Sequence, residues 1–250
     1  MPVENYVFGA VVIDGKIYVA GGVGNNFAII DKTEVYGPQT DKWEKKTGMN
    51  VVERCGYTLE VVNGKIYAIG GQKCCPSWVY TIEEYDPIKD EWKNQKNIPV
   101  SRYTTASAVE NNIIYIIGGW DSVVLADVYS YDPASKVWEE KSDLPIGGRY
   151  DGSACSINGK IYFMVGSSSG NSSVPTTDVL EYDPGLDEWT KKTDMLIPRV
   201  GHHIVVFDKK IYVVGGLKPN IALSDLIRDV KAGSSKSINE KNWIIGKFSW

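Results

Sequence analysis

The chain repeats one pattern of apolar and polar positions five times. Each repeat has an apolar strand, a two-residue turn, and a second apolar strand that carries a tyrosine and ends at a pair of small residues. The second strands read KIYVAGG from Lys16, KIYAIGG from Lys65, IIYIIGG from Ile113, KIYFMVGS from Lys160 and KIYVVGG from Lys210. The turns before them are Asp14-Gly15, Asn63-Gly64, Asn111-Asn112, Asn158-Gly159 and Asp208-Lys209. These residue types accept the positive φ angles of a type I′ turn, so each repeat is predicted to open with a tight antiparallel hairpin.

Two further strands are predicted in each of the first four repeats. A tyrosine followed closely by a proline marks the third strand and its end, because proline cannot donate to a β-ladder. A tryptophan seven residues after that tyrosine marks a short fourth strand. The pairs are Tyr36 and Trp43, Tyr85 and Trp92, Tyr131 and Trp138, and Tyr182 and Trp189. Four antiparallel strands in a unit of about 48 residues, without a helical pattern, are typical of a β-propeller blade.

Together these motifs resemble the kelch repeat. The similarity covers residues 6–189 and resumes over residues 199–216, and it combines an arginine, the hairpin turn, the Gly-Gly pair, the Tyr-Asp-Pro segment and the tryptophan. The resemblance implies an all-β fold, a five-bladed kelch β-propeller of four-stranded antiparallel blades, as a single domain over residues 1–250. The predicted blades cover about residues 1–48, 49–97, 98–144, 145–194 and 195–250. The tyrosines and tryptophans are interpreted as plates that fill the space between blades.

The fifth repeat departs most from this pattern. Residues 225–229 align with the third strand, but Asp229 stands in place of the tyrosine, and Trp243 lies seven residues further along than expected. The outermost strand of this repeat is predicted at residues 243–245. Three arrangements are open: a closed five-bladed ring, an open arc, and part of a larger ring. We favour closure, because an open arc leaves apolar blade faces and strand edges in water.

Charge and cysteine usage narrow the class of partner. The net charge of −4 argues against nucleic acid or an anionic membrane as the partner, since both need a basic face. The chain has neither an apolar run of membrane-spanning length nor a leader, which predicts a cytoplasmic protein. No cofactor is predicted, because the cysteines form no CxxC pair and have no histidine nearby. These cysteines, Cys55, Cys74, Cys75 and Cys155, are interpreted as free thiols, with a redox role for the adjacent pair as the alternative.

An arginine precedes the first strand of four repeats. These residues are Arg54, Arg102, Arg149 and Arg199, and Asn5 takes the place in the first repeat. Loops that enter the inner strands of a propeller meet at one mouth, so we expect four guanidinium groups there, suited to bidentate capture of a carboxylate or phosphate. In some kelch adaptor proteins the arginines at this position bind acidic peptides, and the resemblance extends that role to these four. The alternative is that each arginine bonds loop carbonyls or a nearby acid and ties the blades together.

Residues beside these arginines and after the Gly-Gly pairs are expected around the same mouth. Their types vary between repeats, as is common where a scaffold gives way to recognition loops. Trp120 interrupts the repeat, and it is predicted either to be exposed or to pack against its own loop. The predicted ligand-binding residues are Arg54, Arg102, Arg149, Arg199, Trp120, Asp121, Gln72, Tyr57, Tyr103, Tyr150 and His202.

The sequence favours binding over catalysis, and no catalytic residue is predicted. The two histidines, His202 and His203, are adjacent on a strand and point to opposite faces, so they cannot jointly bind a metal ion. The predicted function is a protein–protein recognition module that binds an acidic partner segment at the arginine-bearing mouth. The alternative is an enzyme or binder of acidic sugars, similar to kelch-type sialate epimerases, because an epimerase needs just one or two acid–base groups.

Overall fold

The protein is described by a computed structural model, which covers residues 9–24, 30–50, 54–73, 78–169, 174–217 and 245–247. The first sheet consists of β1 (Gly9–Ile13), β2 (Lys16–Ala20), β3 (Thr33–Gly37) and β4 (Lys42–Lys46). The second consists of β5 (Thr58–Val62), β6 (Lys65–Ile69), β7 (Ile82–Asp86) and β8 (Glu91–Asn94). The third consists of β9 (Ala106–Glu110), β10 (Ile113–Asp121), β11 (Val123–Asp132) and β12 (Val137–Lys141). The fourth consists of β13 (Ser153–Ile157), β14 (Lys160–Met164), β15 (Val179–Asp183) and β16 (Glu188–Lys191).

The strands of each sheet pair antiparallel in chain order, as predicted for propeller blades. Both residues of every predicted hairpin turn have a positive φ, for example 52° at Asn111 and 63° at Asn112. This confirms the type I′ turns and fixes the register of the innermost strand pair in each sheet. In the described part of the chain, no helix is long or apolar enough to cross a membrane.

The tyrosine and tryptophan seven residues apart face each other across the two outer strands. Tyr85 pairs with Trp92, and the three other predicted pairs have the same register. Their ring centroids lie 4.8 or 5.1 Å apart. Each such pair contributes about 1 kcal/mol beyond the apolar area that it buries. The sequence prediction of aromatic plates between blades is confirmed, since Tyr85, Tyr131 and Tyr182 are fully buried.

The core lies between sheets rather than within one. The innermost strands of the sheets follow one another in space in chain order, β1 beside β5, β5 beside β9, and β9 beside β13. Between the second and third sheets, Val62 and Ile69 pack against Ile114 and Ile116. Similar clusters join the other neighbouring sheets. The successive sheets therefore stand side by side around a common axis, as the blades of a propeller do.

The fifth repeat forms a sheet of three strands, β17 (Val200–Phe207), β18 (Lys210–Leu217) and β19 (Ile245–Lys247). Its predicted third strand, residues 225–229, lies outside the described residues, as does Trp243. The prediction of an outermost strand at residues 243–245 is wrong for Ile245, the part of it that the structure describes, because Ile245 begins β19 and pairs directly with β18. The free edge of β18 still offers backbone donors and acceptors, and β19 satisfies them in the position of a third strand.

The predicted count of five complete blades therefore needs correction. The described residues form four complete four-stranded blades and a three-stranded fifth sheet. The inner strand β17 packs beside β13, but β17 and β1 make no contact of comparable extent within the described ranges. The first and last sheets thus do not meet as the neighbouring blades do.

Candidate functional site

The ends of the inner hairpins bring the predicted mouth residues together. In three repeats the residue after the arginine pairs with the residue seven positions after the first residue of the second strand. These bridges are Cys55 with Gln72, Tyr103 with Trp120, and Tyr150 with Ser167. We call this set the mouth rim, defined as residues 54–56, 101–104, 149–151 and 199–201 together with Gln72, Trp120, Asp121 and Ser167.

Backbone hydrogen bonds join the rim from one sheet to the next. The N–H of Thr104 donates to the carbonyl of Gly56 over 2.8 Å. The N–H of Asp151 donates to Thr104, and that of Gly201 donates to Asp151, each over 3.2 Å. All four residues have a left-handed backbone, with φ of 60° at Gly56, 49° at Thr104, 54° at Asp151 and 62° at Gly201. A residue with a side chain is strained at such a φ. The left-handed backbone of Thr104 and Asp151 therefore raises the free energy of the folded rim at these two residues.

Arg54 is held inside the second sheet. Its guanidinium is fully buried and donates from Nη1 to the carbonyl of Ala68 over 2.9 Å and from Nη2 to Thr81 Oγ1 over 2.6 Å. It also forms an ion pair with the buried carboxylate of Glu83 at 3.2 Å. Burial lowers the pKa of Arg54, and the charge of Glu83 opposes that shift. A buried pair of this kind fixes geometry, and breaking it by removing one partner leaves an uncompensated charge.

Arg102 and Arg149 repeat the arrangement with aspartates. Arg102 is fully buried, donates to Asp127 Oδ2 over 2.8 Å and to the carbonyl of Gly118 over 3.0 Å, and lies over the ring of Tyr129. Arg149 donates to Asp178 Oδ2 and to the carbonyl of Ile146, both over 3.0 Å. These contacts match the alternative in that each arginine bonds a loop or strand carbonyl and a nearby acid, but the acid belongs to the same blade, so the side-chain contacts do not tie neighbouring blades together. A direct role of these arginines in ligand binding stays a prediction.

Arg199 is the equivalent arginine of the fifth repeat. It is 7% exposed and donates to the carbonyl of Gly215 over 2.6 Å. Burial lowers its pKa. Each of the other three arginines pairs with a carboxylate, and the residue of the fifth repeat that aligns with Asp127 and Asp178 is Asp225, which lies outside the described residues.

The acid partners were not identified from the sequence, although a signal was present. Asp127 and Asp178 each stand four residues before the tyrosine of the third strand, and Thr81 holds that position in the second repeat beside Glu83. In the first repeat the arginine is replaced by Asn5 and the acid position by Lys32. The first repeat nevertheless keeps a buried acid, Glu34, at the position of Glu83, so the loss of the arginine is not matched by the loss of every candidate partner.

Trp120 and the tyrosines form an aromatic strip along the rim. The half-buried ring of Trp120 lies 6.0 Å from the ring of the buried Tyr150, which belongs to the next sheet. Tyr103 is half-buried and covers Gly56, where an added Cβ would come 1.8 Å from its ring. Beside them, Ser101 Oγ donates to Asp121 over 2.7 Å. Large amphipathic rings held by a rigid backbone are common anchors in protein interfaces.

The remaining predicted residues divide between rim and core. Gln72 is half-buried on the rim. Tyr57 donates its hydroxyl to the carbonyl of Ala20 in the first sheet, and burial raises its pKa, so it packs between blades. His202 is 3% exposed, and neither ring nitrogen has a hydrogen-bond partner among the described residues. Burial, together with the charges of His203 and Arg199, lowers the pKa of His202 to about 4, so the ring is neutral at pH 7.

No three His, Cys, Asp or Glu side chains come together as metal ligands in the described part of the chain. A groove of about 300 Å³ lies on the third sheet beside Tyr115, Ser130 and Glu139, and none of the predicted site residues lines it. Cys155 is a half-buried free thiol, and burial raises its pKa to about 12. Cys74 and Cys75 lie outside the described residues.

Comparison with known proteins agrees with this architecture. The family model described as the Attractin/LZTR1 β-propeller matches residues 1–227. The chain is 34% identical over 151 residues to kelch-like protein 15 of Danio rerio, covering 52% of this chain and 24% of that protein. It is 31% identical over 135 residues to alpha-scruin of Limulus polyphemus, covering 49% and 14%.

Two further similarities extend the comparison. An F-box/kelch-repeat protein of Arabidopsis thaliana, At1g67480, is 35% identical over 94 residues, covering 38% of this chain and 24% of that protein. The matched part thus spans about a quarter or less of these relatives. The solved structure of YjhT superposes with a TM-score of 0.74 at 17% identity, covering 86% of this chain and 78% of that one, which shows a shared fold. The chain belongs to the kelch-repeat β-propeller family, in the group described as the Attractin/LZTR1 β-propeller.

Proposed function

We propose that this propeller is a protein-recognition module and that an acidic partner segment docks on the mouth rim. The observation that carries the proposal is the half-buried Trp120 beside Tyr103 and Tyr150, on a rim that the backbone holds rigidly from sheet to sheet. Trp120 has no counterpart in the other repeats, where Gln72 and Ser167 occupy its position. Residues that depart from a repeat while the scaffold stays constant are suited to recognition rather than to folding.

The arginines are proposed to have two different roles. Arg54, Arg102 and Arg149 position the rim, because each is engaged by an acid of its own sheet. The guanidinium of Arg199, which donates to the carbonyl of Gly215, is the proposed contact for an acidic side chain of the partner, and the acid aligned with Asp127 and Asp178, Asp225, lies outside the described residues. The aromatic strip would supply apolar contact area, and Arg199 would supply charge preference.

The test is selection of peptides from a random displayed library on the immobilised propeller, followed by affinity measurement of the selected peptides. We expect sequences enriched in Asp and Glu. Replacing Trp120→Ser should weaken their binding at least about tenfold, since a central aromatic anchor commonly contributes that much or more. Arg199→Gln should remove the preference for acidic residues and flatten the dependence of affinity on salt.

Leu186→Ser is the matched control, because Leu186 is 67% exposed on the turn between β15 and β16 and lies outside the rim. It should bind the selected peptides as the parent does. Circular dichroism melting checks that every variant is folded. Unchanged affinity in Trp120→Ser, or selected peptides without acidic residues, would contradict the proposal. In a thermal-shift screen, stabilisation by sialic acid without any by the peptides would favour the sugar-binding alternative.

A further inference from the structure

An acid on the turn between the two outer strands fastens the fourth blade to the third. This acid is Asp187, five residues after Tyr182, and its carboxylate accepts hydrogen bonds from the Tyr182 hydroxyl and, over 2.9 Å, from the N–H of Ser142 in the third blade. Trp189 of the fourth blade donates its Nε1–H to the carbonyl of Ser142 over 2.8 Å. We call these three hydrogen bonds the latch, and we call the packed boundary between two neighbouring blades a seam.

The same latch closes the seam between the first and second blades. Asp90 accepts from the Tyr85 hydroxyl over 2.6 Å and from the N–H of Thr47 in the first blade over 2.9 Å. Trp92 donates to the carbonyl of Thr47 over 3.0 Å. The backbone of Asp90 is left-handed, with a φ of 53°, as is that of Asp187 with 56°, and aspartate tolerates this conformation better than most residues. A carboxylate at this turn position is therefore the central element of the latch.

The seam between the second and third blades lacks this latch. Lys136, with a φ of 58°, stands where the other two blades have the acid. The hydroxyl of the fully buried Tyr131 and the Nε1–H of Trp138 have no hydrogen-bond partner among the described residues. Both rings nevertheless keep the register and the 4.8 Å spacing of the latched blades. The donors are thus in place and the carboxylate is missing, and buried donors left unpaired lower the stability of the contact.

The same seam is also less apolar between its innermost strands. Val11 and Leu59 belong to the apolar cluster between the first and second sheets. Glu60 and Ser107 hold these two positions between the second and third sheets, where Ser107 Oγ donates to Glu60 Oε1. A carboxyl group gains less from burial than an aliphatic side chain does. Both the outer and the inner strands of this seam therefore contribute less to holding the blades together than their counterparts between the first two blades.

We propose that the seam between the second and third blades is a hinge, at which these two blades separate transiently more often than blades that the latch joins. Local opening of a folded protein occurs where the contacts are weakest. Separation here breaks the hydrogen bond from the N–H of Thr104 to the carbonyl of Gly56 and removes the Tyr103 ring from Gly56. The hinge therefore opens the mouth rim between its second-blade and third-blade parts.

Hydrogen exchange of two matched amides, followed by NMR, tests the proposal. The N–H of Gly71 donates to the carbonyl of Arg102 across the second–third seam, and that of Gly119 donates to the carbonyl of Arg149 across the third–fourth seam, each over 2.8 Å. We expect the protection factor of Gly71 to be about tenfold lower than that of Gly119, because the missing hydrogen bonds reduce the cost of opening. Lys136→Asp supplies the carboxylate, so it should raise the protection of Gly71 about tenfold and leave that of Gly119 unchanged.

Lys136→Gly is the matched control, because it removes the same charge and relieves the left-handed backbone without supplying a carboxylate. It should leave the protection of Gly71 unchanged. Asp187→Gly makes the reverse change, since it removes the acid of the third–fourth latch, and it should lower the protection of Gly119 about tenfold without affecting Gly71. Circular dichroism melting checks that each variant folds.

Equal protection of Gly71 and Gly119 in the parent would overturn the proposal. So would a protection factor of Gly71 that Lys136→Asp leaves unchanged, or that Lys136→Gly raises as much as Lys136→Asp does. None of these measurements involves a ligand, so their outcome is independent of peptide binding at the rim.

Discussion

Glu60 lies on the innermost strand of the second sheet, where a carboxylate is poorly solvated. Its Oε1 accepts a hydrogen bond of 2.5 Å from Ser107 Oγ on the neighbouring strand β9. Burial raises the pKa of Glu60 from the ordinary 4.5 to about 7, and the hydrogen bond from Ser107 opposes the shift. We predict that Glu60→Gln stabilises the protein at neutral and alkaline pH, because the amide keeps the polar contact and carries no charge.

The direction of this pH dependence follows from how tightly the folded protein and the unfolded chain each bind the Glu60 proton. The folded protein holds the Glu60 proton more tightly than the unfolded chain does, so the free energy of unfolding is highest below pH 4.5 and falls as the pH rises towards 7. A pKa difference of this size corresponds to about 3 kcal/mol. Because the Glu60 side chain retains partial contact with solvent, we expect roughly 2 kcal/mol at about pH 8 and almost nothing at about pH 4.

Urea unfolding of the parent and Glu60→Gln at several pH values measures this difference. The free energy of unfolding of Glu60→Gln should rise above that of the parent as the pH passes from about 5 to about 8. In this range Glu60 has released its proton in the unfolded chain but still holds it in part in the folded protein. Glu188→Gln, at an exposed position on β16, is the control and should show no such pH-dependent gain. A constant difference between Glu60→Gln and the parent across this range would refute the reasoning.

Three further predictions follow from the rim and the last sheet. Thr104→Gly should raise the free energy of unfolding by about 1 kcal/mol, because glycine relieves the left-handed φ of 49°; a lower melting temperature would contradict this. Arg102→Ala should lower the free energy of unfolding by about 3 kcal/mol or more, since Asp127 loses its buried partner. A loss below about 1 kcal/mol, measured by urea unfolding, would argue against a structural role of Arg102. The pKa of His202 is lowered to about 4, so the parent should lose up to about 3 kcal/mol as the pH falls from about 6.5 to 4, while His202→Phe should not.

Most of the blade architecture was accessible from the sequence because it depends on local chemistry. Asn63-Gly64 and the equivalent turns define the inner hairpins, and the spacing of Tyr85 and Trp92 defines the outer strands. The fifth sheet was not predicted correctly, since Asp229 lacks the ring that marks a third strand. The strand at residues 245–247 pairs with β18 through backbone groups, and such pairing leaves little trace in a pattern of side chains.

The site was harder to predict because burial is a property of the assembled rim. Arg54 and Arg102 are polar residues in a loop, which resembles a recognition pattern, yet both are fully buried. Their partners belong to other strands, 29 residues away for Glu83 and 25 for Asp127. Nor does the sequence show that Thr104 adopts a left-handed backbone, since a β-branched residue rarely does so.

These contacts indicate that the residues repeated in the blades and the non-repeated residues of the rim have different roles. The aromatic pair and the hairpin turn recur in all four complete blades, and the arginine with its acid recurs in the second, third and fourth, where it ties the loop to its own blade. Trp120, Asp121 and Gln72 occupy rim positions at which the residue type varies between repeats. Arg199 belongs to the repeated set by sequence, and the acid that aligns with the partners of the other arginines, Asp225, lies outside the described residues. Recognition should therefore be most sensitive to substitutions on the arc of the rim that runs from Trp120 across Tyr150 to Arg199.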